Sequence, residues 1–281
     1  MKLAILADIH SNFVALERVT NHIEAWQPDK IIVAGDVINR GPRPWECFCF
    51  VQEKAENEGW LIIRGNHEEY VFAQENSPHQ SGSPEYDMYQ HSRWTYHQVK
   101  DKLATIKAWP ECISISAPDN SEIRITHASM RGNRDGIFSF TSDEDLREKI
   151  APPPPLFCVG HTHIPLIRHI DETLVVNSGS VGLPFDGDTR ACYAQIMWRN
   201  HQWQARMIRL NYDIEQAKRD FHDSGYMEGS GPFAHLIFDE LICAKSRLYG
   251  WARRYETSVL AGEISMAESV RRSLQELARK T

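Results

Sequence analysis

Asp8 and His10, two side chains that bind metal ions well, stand one residue apart in "LADIHSN" (residues 6–12), where an apolar run stops. The same kind of ending recurs down the chain. "GDVINRG" carries Asp36, "RGNHEE" carries Asn66 and His67, "EIRITH" ends in His127, and "GHTH" supplies His161 and His163. Asp8, His10, Asp36, Asn66, His127, His161 and His163 are seven oxygen or nitrogen donors with no thiolate among them. That set suits Mn²⁺, Fe or Zn²⁺ better than a structural zinc site. Seven donors exceed the need of one tetrahedral ion. With Asp36 as a bridge, each of two ions receives four protein groups, at the roughly 3.5–4 Å separation of hydrolytic two-metal centres. A lone Asp-x-His pair is a weak signal. Its weight comes from five such motifs in one chain, each following a strand-like run. Gly35, Gly65 and Gly160 precede the ligand turns, where backbone must bend sharply or come close to the ions.

These side chains need elements to bring them together. "KLAILA", "KIIVAG" and "WLIIRG" are short continuous apolar runs, as in strands buried on both faces. Between them, "NFVALERVTNHIEAW" has helical spacing with Asn12 as N-cap, and "PWECFCFVQEKAENEG" is a helix opened by Pro and closed by Gly. This β-α-β-α-β order implies a parallel sheet with helices on its faces. Ligands of such sheets gather at the carboxyl ends of the strands, which is where the motifs lie. Further on, "NHEEYVFAQ" is helical, "ENSPHQSGSPEYD" is a loop by composition, and "MYQHSRWTYHQVKDKLATIKAW" is helical again. "CISIS" and "EIRITH" are a strand pair, "SDEDLREKI" a helix with an acidic first turn, "PPPP" a stiff connector and "LFCVG" a buried strand. "LIRHI", "TLVVN", "RACYAQIMW" and "QWQARMIRL" follow as strands, so the second half reads as antiparallel and the two halves as one mixed sheet core. From Tyr212 the pattern is helical to the end, including "ISMAESVRRSLQELARK" with Ser265 as N-cap. The expected division is residues 1–211 and a C-terminal helical extension, 212–281.

The 281 residues are 42% hydrophobic with a formal net charge of −7. That length buries a core without staples, and the acidic balance argues against general nucleic-acid binding. Cys47, Cys49, Cys112, Cys158, Cys192 and Cys243 form no CxxC pair and read as mostly buried thiols of a reducing compartment. The first apolar run is too short for a signal-peptide core and no stretch is long enough to span a membrane, so a cytoplasmic location is expected.

"DIH", "GDVINRG", "GNHEE", "THAS" and "GHTH" together resemble the calcineurin-like metallophosphoesterase superfamily over about residues 1 to 210. "SNFVALERV" and "NSGSVGLPFDGDTRACYAQI" look like its bacterial and archaeal phosphodiesterase branch. The resemblance implies an α/β fold, a four-layer α-β-β-α sandwich of two mixed sheets. It implies two divalent ions, manganese first and iron or zinc otherwise. One would be held by Asp8, His10, Asp36 and His163, the other by Asp36, Asn66, His127 and His161. His67 matches the histidine that contacts the scissile phosphate and helps the leaving group depart. The chain departs from the protein-phosphatase pattern at Asn39, which stands before Arg40 where those enzymes have Asp to orient that histidine. Glu68 or Glu69 is expected to assist instead, and a neutral Asn39 leaves Arg40 freer to meet a phosphate oxygen.

The expected activity is hydrolysis of a phosphodiester or nucleotide-type phosphoanhydride, with the ions activating water for in-line attack. Nucleotides and dinucleoside polyphosphates are the first candidate substrates. The alternatives are a phosphoprotein or phosphomonoester phosphatase and, in a different class, a catalytically silent protein-binding scaffold. Arg131, four residues after His127, is a candidate for reading the substrate or else a surface arginine. Trp94 follows the polar loop and is kept as a candidate near the site; the other tryptophans read as core. The C-terminal helices carry apolar stripes expected to pack on the core or on a partner subunit of a homo-oligomer, with a lid over the site as the second reading.

Overall fold

The computed structural model describes residues 1–279; Lys280 of the expected last helix and Thr281 of the extension lie outside the described residues. The first half alternates as expected: β1 (Lys2–Leu6), α1 (Phe13–Trp26), β2 (Lys30–Ala34), α2 (Pro44–Glu58) and β3 (Leu61–Ile63). Asn12 caps α1, its side-chain oxygen accepting from Ala15 N at 3.1 Å. Pro44 opens α2, and Gly59 ends it at φ 73°, a conformation glycine adopts without steric cost. Four helices follow, α3 (Asn66–Phe72), α4 (Pro84–Met88), α5 (Gln90–Val99) and α6 (Leu103–Lys107).

Two local expectations need correcting here. The stretch taken for a loop contains α4, whose start is marked by Ser83 capping Tyr86 N at 3.2 Å and by Pro84 in the first turn. The long helix expected over 88–109 is broken by a tight turn at Lys100–Lys102, with no Gly or Pro to announce it.

The chain continues through β4 (Cys112–Ser116), β5 (Glu122–Thr126), α7 (Asp143–Lys149), β6 (Leu156–Val159), β7 (Leu166–Ile170), β8 (Thr173–Asn177), β9 (Ala191–Arg199) and β10 (Gln202–Leu210). The C-terminal region is helical: α8 (Ile214–Asp223), α9 (Tyr226–Gly229), α10 (Phe233–Cys243), α11 (Leu248–Leu260) and α12 (Met266–Ala278). Ser265 caps α12 by accepting from Glu268 N.

The strands form two five-stranded sheets, β10-β9-β1-β2-β3 and β4-β5-β6-β8-β7, not one. Nor is the second half simply antiparallel. β5, β6 and β8 are parallel neighbours, and β9 leaves the second sheet to pair antiparallel with β1, Leu3 facing Ile196. Periodicity reports which faces are buried but not which strand is the neighbour.

Alternate residues of each strand serve two different cores. Leu3, Ile5, Ile32 and Ile63 meet Ile123, Ile125, Leu156 and Val176 between the sheets. Ala4, Leu6 and Val33 face outward onto Leu16, Val19 and Val51 of α1 and α2. Phe157, Val159 and Val175 face Leu146 and Ile150 on the far side. Each fully buried aliphatic side chain contributes about 1.5–3 kcal/mol, and the result is the four-layer α-β-β-α sandwich. Phe221, Tyr226, Leu236, Trp251 and Val270 build a separate cluster in the helical region. Trp94 belongs there, its ring centroid 5.0 Å from that of Tyr226, so it anchors that region rather than the site. All six cysteines are free, three of them buried. Among the described residues no helix is long and apolar enough to cross a membrane.

Candidate metal centre and substrate cavity

Five strand ends deliver donors to one place. The segments after β1 and β2 stay zipped together past the strands, through Asp8 N to Gly35 O, His10 N to Asp36 O and Ser11 N to Val37 O at 3.0–3.1 Å. They do so in an unusual backbone conformation. Asp8 (φ 54°), His10 (47°), Asp36 (55°), His161 (69°) and His163 (57°) are all left-handed. Non-glycine residues hold that conformation only where the surroundings enforce it, and such strain collects at functional sites. Glu68 is one enforcer. Wholly buried, it accepts backbone N–H groups from Asp36 (3.0 Å), Ile38 (3.1 Å) and Gly65 (2.7 Å), pinning the turns after β2 and β3 together. Burial, then the Asp36 charge, raises its pKa to about 7. This occupation corrects the expectation that Glu68 orients His67; Glu69 is engaged with Asn133 and Arg134.

Asp8, His10, Asp36 and His163 form a buried cluster in which one ligand atom from each lies within 4.8 Å of the others. Its chemistry calls for a cation. Nδ1 of His10 donates to Asn39 O (3.3 Å) and Nδ1 of His163 donates to the carbonyl of Leu183 (2.5 Å). In neutral rings both Nε2 atoms are therefore bare lone pairs, yet they face each other at 3.0 Å. Asp8 Oδ1 and Asp36 Oδ2 are buried with no hydrogen-bond partner, an expensive state for carboxylate oxygens unless an ion is met.

A second group abuts the first. His127 donates from Nδ1 to Ala34 O at 2.8 Å, which turns its Nε2 toward Asn66 Oδ1 (3.0 Å) and Asp36 Oδ2 (3.3 Å). His161 Nδ1 reaches the same Asn66 oxygen at 2.8 Å. Asp36 Oδ2 is also 3.6 Å from His10 Nε2, so one oxygen stands between the two groups. Burial alone would depress His127, but the Asp36 and Asp8 carboxylates raise it to about 10, a sign of how strongly this spot attracts positive charge. His161 is lowered to about 4 by burial and by its neighbour His127. Burial and His163 hold His10 well below its ordinary value. The residues present fit a divalent metal ion at Asp8, His10, Asp36 and His163, and Asn66, His127 and His161 gather beside that set around Asp36.

His67, Arg40 and Asn66 line a cavity of about 220 Å³ with Tyr70, Tyr89, His91 and Leu248. Burial, then His10 and Arg40, depresses the pKa of His67 strongly. Asn39 donates from Nδ2 to His67 Nδ1 at 3.0 Å, so the orienting contact comes from the residue in the expected position, with a donor in place of an acceptor. Arg40 is not free as expected. Its Nη2 is paired with Glu240 of α10, and its guanidinium lies 5.5 Å over the ring of Phe185. Phe185 in turn stacks on His163 at 4.2 Å. Arg131 does not line this cavity. Its three nitrogens are engaged by Asp135, Asp145 and Glu148 at 2.7–3.1 Å. The same loop meets the cavity wall through Arg134, 4.9 Å over Tyr70.

Sequence reasoning missed Glu240, Leu248, Tyr70, Tyr89 and His91 as cavity neighbours. Tyr70 had a signal, standing three residues after His67 and so on one helix face. Glu240 and Leu248 had none, being two hundred residues from Arg40.

Residues 1–200 match the sequence model of the calcineurin-like phosphoesterase superfamily domain. An uncharacterized protein of Methanocaldococcus jannaschii is 26% identical over 231 residues, 76% of this chain and 89% of that protein. Two solved structures share the fold. A metallophosphoesterase from Sphaerobacter thermophilus aligns at TM-score 0.66 and 24% identity over 87% of this chain and 100% of its own. A hypothetical protein from Pyrococcus horikoshii aligns at TM-score 0.72 and 19% identity, over 87% and 99%.

Proposed function

The chain belongs to the calcineurin-like phosphoesterase superfamily and is a phosphoester hydrolase; from that premise we propose that it uses two divalent ions, manganese first, to cleave a phosphodiester or phosphoanhydride in a small nucleotide-type substrate. The observation that carries the proposal is Asp36 Oδ2, unpartnered, buried and shared between two donor groups. When bound, the ions supply charge that polarises phosphoryl oxygens and acidifies a water.

The chain's own residues do the rest. Asp8, His10, Asp36 and His163 hold one ion, and Asp36, Asn66, His127 and His161 the other. His67, neutral and fixed by Asn39, presents an Nε2–H to the phosphoryl group or leaving oxygen. Arg40 offers N–H groups to a non-reacting oxygen. A cavity of about 220 Å³ suits a small ester better than a folded phosphoprotein. The C-terminal extension, over its described residues 212–279, acts as a helical unit packed on residues 1–211.

The test is metal content together with hydrolysis of bis(p-nitrophenyl) phosphate beside p-nitrophenyl phosphate, with added Mn²⁺, for wild type and Asp36→Asn. The proposal expects two ions per chain and diester turnover, both lost in the variant. Turnover of the monoester alone establishes a phosphatase. Bound metal with no turnover of either ester favours a scaffold.

A further inference from the structure

We propose that Glu240, on α10, is a positioning residue for Arg40 and that through it the C-terminal helices take part in phosphate binding. This rests on the assignment of the cavity above. Arg40 sits in a left-handed backbone conformation (φ 58°) with its guanidinium nearly buried. One nitrogen, Nη2, is held by Glu240 Oε2, and one face is covered by Phe185. Its Nε is buried with no partner. An arginine carries five N–H donors in a rigid fork, so fixing one edge aims the remainder.

Glu240 has no solvent to share. Its second oxygen accepts the backbone N–H groups of Arg247 (2.6 Å) and Leu248 (3.0 Å) at the start of α11. Leu248 lines the same cavity as Arg40 and His67. One carboxylate therefore fixes the arginine and seats the helix that gives Leu248 to the cavity lining. A buried carboxylate needs such compensation, and a buried arginine without it would be costly.

A role confined to stability would be that of a helix cap joined to a buried ion pair. Glu240→Gln separates the two, because the amide oxygen can still accept from Arg247 and Leu248 while the charge is lost. Inorganic phosphate is the probe, its affinity measured by titration calorimetry on the full chain beside the melting temperature. The expected result is roughly tenfold weaker phosphate binding in E240Q, and a diester KM raised in parallel with kcat changed less than threefold. Arg40→Lys, which keeps a cation facing Glu240 but removes the fork, weakens phosphate similarly, and E240Q adds less to it than to wild type. Unchanged phosphate affinity in a folded E240Q overturns the proposal, as does an equal effect of E240Q in both backgrounds. Wild type that binds no phosphate overturns it too. Phosphate binding that depends on Glu240 in a protein without ester turnover defeats the hydrolase assignment and leaves this one standing.

Discussion

Asn39 donates its side-chain N–H to Nδ1 of His67 across 3.0 Å. Its direction is fixed, because the oxygen of the same amide accepts Arg40 N at 3.0 Å and faces the Thr95 hydroxyl. With Nδ1 accepting, the proton of neutral His67 must be on Nε2. A carboxylate in place of Asn39 would instead accept from Nδ1 and stabilise the charged ring.

Asn39→Asp is therefore expected to raise the pKa of His67 by a unit or more. In that variant only the charged ring keeps an Nε2–H, so kcat/KM should fall on the alkaline side as pH rises through the raised pKa. Asn39→Ala, which removes the contact, lowers kcat/KM by about 10–100-fold with little change in melting temperature. A profile unmoved in N39D would mean that the contact does not govern His67.

The lone pairs of His10 and His163 and the orphan oxygens of Asp8 and Asp36 face inward. Manganese at a hundredfold excess over its Kd should stabilise the fold by about 2.7 kcal/mol, and a chelator should reverse this. Asp36→Asn removes a buried charge. The variant is then expected to gain little melting temperature from manganese. Differential scanning calorimetry with and without chelator decides it.

Burial, with Arg40 close by, lowers His91 to about 3. Its unfolded value is about 6.5, so the neutral form is favoured by folding. The stability it contributes is full above pH 6.5 and lost as pH falls from there toward 3, by up to about 1.4 kcal/mol per pH unit. Urea melts of wild type and His91→Gln should converge across that window. Parallel curves would refute the assignment.

Arg131 is tied to Asp135, Asp145 and Glu148 on an exposed surface. Arg131→Ala is expected to leave kcat and KM within twofold. Exposed pairs of this kind contribute about 0–1 kcal/mol. A tenfold rise in KM would return Arg131 to the substrate site.

A Cβ on Gly160 would lie 2.6 Å from Asp8 Oδ2 and 2.5 Å from the Ala7 side chain, so the carboxylate would have to turn away. Gly160→Ala should weaken manganese binding at least tenfold in a protein that still folds, as read by competition with a chelating dye.

The donors of the centre are legible in the sequence because each ends an apolar run, and a run can be recognised without knowing its neighbours. Asn12, Pro44, Gly59 and Ser265 mark helix ends for the same local reason. Ser83 and Pro84 mark α4 just as plainly, and the polar composition around them hid the signal. What could not be read is what depends on partners distant in sequence. β9 shows its strand character but not that it joins β1. Glu240 is one of two adjacent acids in an apolar helix until α10 is seen against Arg40. Glu68 looks like a neighbour of His67, whereas its carboxylate turns to the backbone of two other turns.

The place of β1 between β2 and β9 bears on how the chain is made. Leu3 pairs with Lys30 on one side, a partner made soon after it, but with Ile196 on the other only after much more of the chain has followed. A chain leaving the ribosome N-terminus first thus carries every metal donor before the strand that closes its first sheet. Such long-range pairing is slow, and an open strand edge is prone to wrong partners in the meantime. Nascent chains halted before residue 191 should keep β1 open to protease, and those extended past 210 should protect it.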